Sequence, residues 1–415
     1  MSSKNCLYVL PLTATIILAS CGNHKNGVTN NNGDNTGDSL PPPVETKKPN
    51  ADYKPAFAGQ TRINGVKTTT PYQVDKIADN LESPWAVIPL PDNRLLITHK
   101  KGYMQIHDAN GGLVKKIIGF PSVESGGQGG MLDVALDPDF NTNKIIYWSF
   151  SEKQGDGNLM SVAKGTLNEA AGKVDNPQVI FRATPNLKSS LHFGSRLIFD
   201  KDGHLFVSTG ERSILAGRVQ AQQLNSGLGK IFKITKEGQP APGNPFIGQT
   251  DKMPEIYAYG VRNPQGLDIH PVTGELWENE FGPRGGDEIN IIKAGKNYGW
   301  PTITYGIEYG GEAIGAPPIQ QKDGMEQPIY YWDPVLSPSG MSFYKGNVIP
   351  EWENNLFIGG LSSQHIARLV IKDNKVVGEE RLLADEGERF RDVAYADGKL
   401  YAVTDGGKLY RISKK

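Results

Sequence analysis

The chain has 415 residues, with 44 basic and 45 acidic side chains and a formal net charge of −1. That balance carries neither a nucleic-acid footprint nor a polybasic membrane patch. Its 49 glycines and 28 prolines suit many short strands joined by turns better than a helical protein, and apolar runs recurring to the C-terminus exclude disorder of the whole chain.

Residues 1–20 read as a leader, in which Lys4 precedes an apolar run, LYVLPLTATIILAS, too short to span a bilayer and stay there. The run ends Leu18-Ala19-Ser20-Cys21, which resembles the lipobox of bacterial lipoproteins. That resemblance implies cleavage before Cys21 and lipidation of it. The protein would then be anchored on the periplasmic, outer-membrane or cell-surface side and touch the membrane through lipid only. An ordinary secretory signal is the other reading, and both imply export. Cys6 and Cys21 are the only cysteines, so the mature fold is expected to lack disulfide and thiol chemistry. Residues 21–66 are rich in Asn, Gly, Asp, Pro and Thr and read as a disordered tether.

From residue 67 to 415 one pattern recurs: an apolar-alternating strand, a turn with Asp, Pro or Gly, and a second strand. It begins at Trp85, Leu132, Ser195, Gly266, Met341 and Arg391, giving six hairpins with room for two more strands in each interval. This predicts an all-β fold, a six-bladed β-propeller of four-stranded antiparallel blades. A pair of β-sandwiches is the alternative, but it does not explain six copies. No long segment of helical period competes, so a βαβ fold is disfavoured.

A propeller gathers loops around one end of its channel, so polar residues in the same phase of successive blades converge. Those residues are Gln128 in SGGQGGML, His192 in SLHFGSRL, Arg262-Asn263 in GVRNPQGL, Gly282-Pro283 in EFGPRGGDE, and Arg389 with Arg391 in GERFRDVA. His192 is a candidate general base. Arg262 and Asn263 suit developing negative charge on an oxygen, and Arg389 and Arg391 suit a carboxylate. Backbone carbonyls at Gly282-Pro283 together with Glu288 suit calcium. Neither GGQGGM nor GPRGGDE links a strand to a helix as a dinucleotide fingerprint does, and no G-x-S-x-G elbow occurs.

GQGGML, HFGSRL, RNPQGL, NEFGPRGGDEIN, KNYGWP, SGMSFY and RFRDV, in this order over residues 70–415, resemble the soluble quinoprotein sugar dehydrogenases, in particular the aldose sugar dehydrogenase branch that uses pyrroloquinoline quinone (PQQ). The resemblance implies a six-bladed propeller with PQQ and calcium at the mouth of its channel. His192 would take the proton of the sugar's anomeric hydroxyl while hydride passes to the quinone. Arg262 would polarise the quinone carbonyl, Asn263 would bind the cofactor, and Gln128 would be the active-site glutamine. Gly282 and Pro283 would give backbone ligands to calcium, and Glu288 and Tyr298 would belong to a further calcium site. Arg389 and Arg391 would hold PQQ carboxylates, and Tyr305 and Trp332 would line the cleft, Tyr305 toward cofactor and Trp332 toward substrate. The chain departs from the family pattern twice. Leu191 stands where an Asp precedes the base, and Ser362 stands where a Lys often contacts the quinone.

The reading that follows is oxidation of aldoses to lactones, with the electron acceptor and a monomeric or dimeric state left open. Two other readings remain: a non-enzymatic propeller binding a glycan or protein partner, and a calcium-dependent lactone hydrolase.

Overall fold

Each predicted hairpin becomes the two innermost strands of a four-stranded antiparallel sheet, and six such sheets make up the propeller in the computed structural model, which describes residues 41–415. The leader, Cys21 and the tether up to residue 40 lie outside the described residues. The innermost strands are Pro84–Pro89, Met131–Leu136, Gly194–Phe199, Pro264–Ile269, Pro338–Phe343 and Phe390–Ala396. Consecutive ones are neighbours around the channel, and the sixth returns to the first. Tight turns set the register. Asp397 and Gly398 both have positive φ (46° and 77°) and link Ala396 to its ladder partner Lys399, the two-residue geometry that matches strand twist.

Closure comes from the two ends of the domain. Tyr72–Ala78 pairs antiparallel with Leu409–Lys414 and so forms the outer strand of the sixth blade. The blades are also clasped near the channel. Every innermost strand carries a bulge or register shift near its start. In the first three blades a hydroxyl of the second strand takes the N–H that the bulge frees. Thr98 accepts from Ala86 N–H (2.9 Å), Ser149 from Asp133 N–H (3.0 Å) and Ser208 from Arg196 N–H (2.9 Å). The same hydroxyls donate to the next blade's innermost strand, at Leu132 O (2.5 Å), Ser195 O (2.6 Å) and Pro264 O (3.4 Å). The apolar core lies in layers between blades. Trp148, fully buried, packs with Leu96, Met104 and Ile106 of the first blade, and Trp277 packs with Phe343 and Ile358 of the fifth.

At the channel axis Arg196 sits between two buried carboxylates, Asp133 (3.3 Å) and Asp392 (3.0 Å), and over the Trp85 ring (4.2 Å). Asp133 also accepts Leu197 N–H and Asp392 accepts Val87 N–H, both at 2.8 Å, so each carboxylate stitches its own blade to the next. Only glycine fits beside them at 340, where a Cβ would fall 1.6 Å from Asp392 Oδ1.

Residues 41–66, expected in the tether, instead lie on the fourth and fifth blades. Arg62 donates to the carbonyls of Glu45 (3.1 Å), Lys47 (2.7 Å) and Asp333 (2.8 Å). Gln60 is fully buried and bonds Pro328 O (2.8 Å), and Glu45 pairs with Arg381 (2.7 Å). The strap is held mainly by hydrogen bonds to backbone and by ion pairs. A composition poor in apolar residues therefore hides its order.

Candidate active site

Two sets of loops meet at one end of the channel around a cavity of about 760 Å³. One set enters the innermost strands and supplies Gln128, His192, Ser337, Arg389 and Arg391. The other leaves the second strands and supplies Lys100, Gly282, Pro283, Ser362 and Asp405. Asn50 of the strap completes the rim, bonding Asp333 Oδ1 through its N–H (2.8 Å) and accepting from Arg284 Nε (3.1 Å).

His192 is buried on this cavity, and its backbone is turned into the left-handed region (φ 48°) just after the exposed Leu191. Its N–H donates to Gln128 Oε1 (2.7 Å), and its Nδ1 lies 2.6 Å from Glu211 Oε1. A carboxylate only accepts, so Nδ1 carries the hydrogen and Nε2 is left with the lone pair. Burial, then the Arg262 charge, lowers the imidazole pKa to about 4 against the Glu211 hydrogen bond, which raises it. The ring is therefore neutral near neutral pH. Glu211 supplies the orientation that Leu191 does not.

Glycine at 210 is required by close approach. A Cβ there would lie 2.4 Å from His192 O and 2.6 Å from Asn263 Oδ1. Gly210→Ala is expected to shift the ring and lower kcat by about 10²-fold with secondary structure intact, because small displacements of a reacting group have effects of that order. Turnover matching the unmodified protein would show that the position of His192 tolerates such a shift.

Arg262 and Asn263 lie behind the main cavity. Asn263 is fully buried and accepts Gly194 N–H (3.0 Å) through Oδ1. Arg262 donates to Phe281 O (2.9 Å) and Gly282 O (2.5 Å), and it lines a second, small cavity with Glu280, Glu288, Tyr298 and Trp300. Glu278, Glu280 and Glu288 are buried on one face of the fourth blade, with Glu280 opposite Glu288 in the ladder. Burial raises all three pKa values, that of Glu280 to about 7, with the Glu280 charge adding to the rise at Glu278 and Glu288 and the Glu211 charge to that at Glu280. None of the three joins a salt bridge among the described residues; Glu280 instead accepts the N–H groups of Arg262 and of Asn263 (3.1 Å), Asn290 donates to Glu278 (3.2 Å) and Glu288 (3.5 Å), and Glu278 Oε1 is left without a partner. The Tyr298 hydroxyl is already used: it donates to Ile291 O (2.7 Å) and accepts Lys293 N–H (2.8 Å). Asp287 clamps the wall, accepting Gly282 N–H (2.9 Å), Leu336 N–H (2.8 Å) and Ser337 N–H (2.7 Å).

On the opposite side Arg389 and Arg391 share Asp405, at 2.9 and 2.8 Å. Burial opposes ionisation of Asp405, but Arg391 and Arg389 outweigh it and hold its pKa below the ordinary value. Ser362 bonds Ser337 (2.8 Å), a neutral pair on the wall.

Tyr305 and Trp332 do not line the cavity. The Tyr305 ring stacks on Tyr331 (4.0 Å) and its hydroxyl bonds Gln327 (2.7 Å) close to the strap. Trp332 is buried against Tyr330 with its indole N–H toward Glu379 (3.4 Å). Trp332 follows the alternation of the strand Tyr330–Trp332 into a packed layer, and Tyr305 is held in a loop against Tyr331, which a motif in the sequence does not reveal.

The cavity thus pairs a neutral, carboxylate-oriented imidazole with an excess of cations, a donor set that fits a polyanionic cofactor. A sequence model of the Glucose / Sorbosone dehydrogenase family matches residues 81–411. The chain belongs to that family. It is 42% identical over 347 residues to the aldose sugar dehydrogenase YliI of Escherichia coli, covering 82% of this chain and 93% of that one. It is 26% identical over 408 residues to quinoprotein glucose dehydrogenase B of Acinetobacter calcoaceticus (79% and 84% covered). The soluble aldose sugar dehydrogenase of E. coli in its apo-form superposes with TM-score 0.79 at 41% identity, over 83% of this chain and 100% of that one. The PQQ-bound aldose sugar dehydrogenase of Streptomyces coelicolor superposes with TM-score 0.68 at 29% identity, over 84% and 99%.

Within this dehydrogenase family site, residue-by-residue reading of the sequence overlooked Glu211, Lys100 and Asp405. Each lies one or two positions past the second strand of its blade, as Gly282 does. That second shared phase was the available signal.

Proposed function

We propose that the protein is an exported PQQ-dependent dehydrogenase that oxidises aldoses to lactones. The observation that carries it is His192, neutral and held by Glu211 on a cavity rich in cations. His192 Nε2 accepts the proton of the anomeric hydroxyl, and the Glu211 carboxylate stabilises the imidazolium that forms. Gln128 fixes the backbone of His192. Bound PQQ would supply the hydride acceptor, with calcium as the Lewis acid beside it. Arg389 and Arg391 would hold cofactor carboxylates through the guanidinium N–H groups that Asp405 leaves free. Arg262 donates to the Gly282 carbonyl, and its charge adds to burial in keeping His192 unprotonated. The backbone of Gly282 and Pro283 offers oxygen ligands to calcium, and the buried carboxylates around Glu288 suit a second cation.

The leader supports lipid anchoring at Cys21. A lactone hydrolase is less well supported, because Asp287 and Asp405, the carboxylates lining the cavity, are both committed to internal hydrogen bonds. The test is titration of metal-free, cofactor-free protein with PQQ, with and without calcium, followed by glucose. Calcium-dependent binding and sugar-driven bleaching of the quinone absorbance are expected. Failure to bind PQQ would leave a binding propeller as the better reading.

A further inference from the structure

The cavity holds four cations, Lys100, Arg284, Arg389 and Arg391, against two carboxylates, Asp287 and Asp405. Asp405 is shared by Arg389 and Arg391, and Asp287 is spent on backbone N–H groups. Two of the four, Arg284 and Lys100, have no ion pair among the described residues; Arg284 donates to Asn50 (3.1 Å), and the one beside Arg391 is Lys100. Its ammonium makes no ion pair among the described residues, and its one hydrogen bond goes to Gly127 O (2.6 Å). Burial, then the nearby Arg391 charge, lowers its pKa below the usual lysine value. Its backbone is pinned between blades, with N–H to Ser83 O and C=O from Met131 N–H, both 3.1 Å, so the base of the side chain cannot swing away. The residue also lines the narrow extension of the cavity beside Gln128, Gln265 and Arg391. A half-buried ammonium held beside another cation costs free energy unless an anion arrives to share it.

We propose that Lys100 binds a carboxylate of the quinone cofactor, as a third cation beside Arg389 and Arg391. The charge is thereby placed on the first blade, while the fifth blade offers the neutral Ser362. This rests on the PQQ reading above. PQQ carries three carboxylates, and a neutral sugar would give Lys100 no counter-charge.

The test measures PQQ affinity, not turnover. With calcium present, the visible absorbance of bound quinone is titrated for the unmodified protein, Lys100→Met and Lys100→Arg at several salt concentrations. Lys100→Met is expected to weaken binding about 10- to 100-fold, the range of one charge-assisted hydrogen bond. Its affinity should also respond less to added salt, because one charge pair is gone. Lys100→Arg should stay within a few-fold of the unmodified protein, and Ser362→Lys added to Lys100→Met should restore part of the loss. Unchanged unfolding midpoints separate these effects from misfolding. The idea is overturned if Lys100→Met binds PQQ within two-fold of the unmodified protein, or if Lys100→Arg is as weak as Lys100→Met. No binding by the unmodified protein would instead remove the PQQ reading, and this inference with it.

Discussion

His192→Ala lowers kcat by about 10²- to 10⁴-fold, the contribution typical of a positioned general base. PQQ affinity changes little, because the side chain meets the substrate proton and not the cofactor carboxylates. The fold is expected to survive, since Glu211 Oε1 still accepts Ser213 N–H (3.2 Å). The pH profile gives a second reading of the same group. The base works only when neutral, and burial with Arg262 sets its pKa to about 4, so turnover falls as pH drops through about 4 and this group imposes no limit above it. Glu211→Gln removes the interaction that raises that pKa. It should lower kcat and move the acid limb to still lower pH. Steady-state kinetics from about pH 3.5 to about pH 8, with circular dichroism to bound the folded range, decide the matter. Substantial activity in His192→Ala would mean that another group takes the proton.

Arg196→Met removes the cation between Asp133 and Asp392 and leaves two carboxylates facing each other at the propeller axis. Breaking a buried ion pair on one side costs about 3–5 kcal/mol. For a domain of this size that corresponds to a fall of roughly 4–6 °C in the unfolding midpoint, extrapolating average unfolding entropies. The sign of the pH dependence follows from the same carboxylates. In the unmodified protein burial already raises Asp133 to about 6, and burial also raises Asp392. A carboxyl whose folded pKa lies above its unfolded value loses stability as pH rises from the unfolded pKa through the folded one. Without Arg196 both folded values rise further, so the penalty should be larger at pH 8 than at pH 5. Calorimetry at the two pH values measures it, and a loss independent of pH would show that the Arg196 charge is not what the axis depends on. Arg196 also donates to Arg391 O (3.3 Å), so the variant should loosen the cofactor side of the cavity too.

Much of this site was readable because it is local. Gln128, His192, Arg389 and Arg391 sit in one phase of a repeating hairpin, at the entry to an innermost strand, and Gly282 and Pro283 follow a second strand at the same end of the channel; a propeller brings each phase to one place. Glu211 was not readable in the same way. It lies 19 residues from His192 in a loop of the other phase, and nothing nearby in sequence says that its carboxylate reaches Nδ1. Tyr305 and Trp332 were misplaced for the opposite reason, since aromatic residues beside a motif resemble cleft walls until packing assigns them to a layer.

The sequence by itself determined the six-hairpin repeat, the turn chemistry and the family motifs, because each of these is written in short runs where local periodicity and backbone preference decide the outcome. Only the tertiary structure decided that Asn50 of the strap completes the cavity rim, that Asp405 neutralises part of the arginine pair, and that Lys100 faces the cavity with no ion pair among the described residues. Those properties depend on which polar groups meet across blades, and a partner hundreds of residues away, such as Asp333 for Asn50 at a separation of 283, has no trace in local pattern.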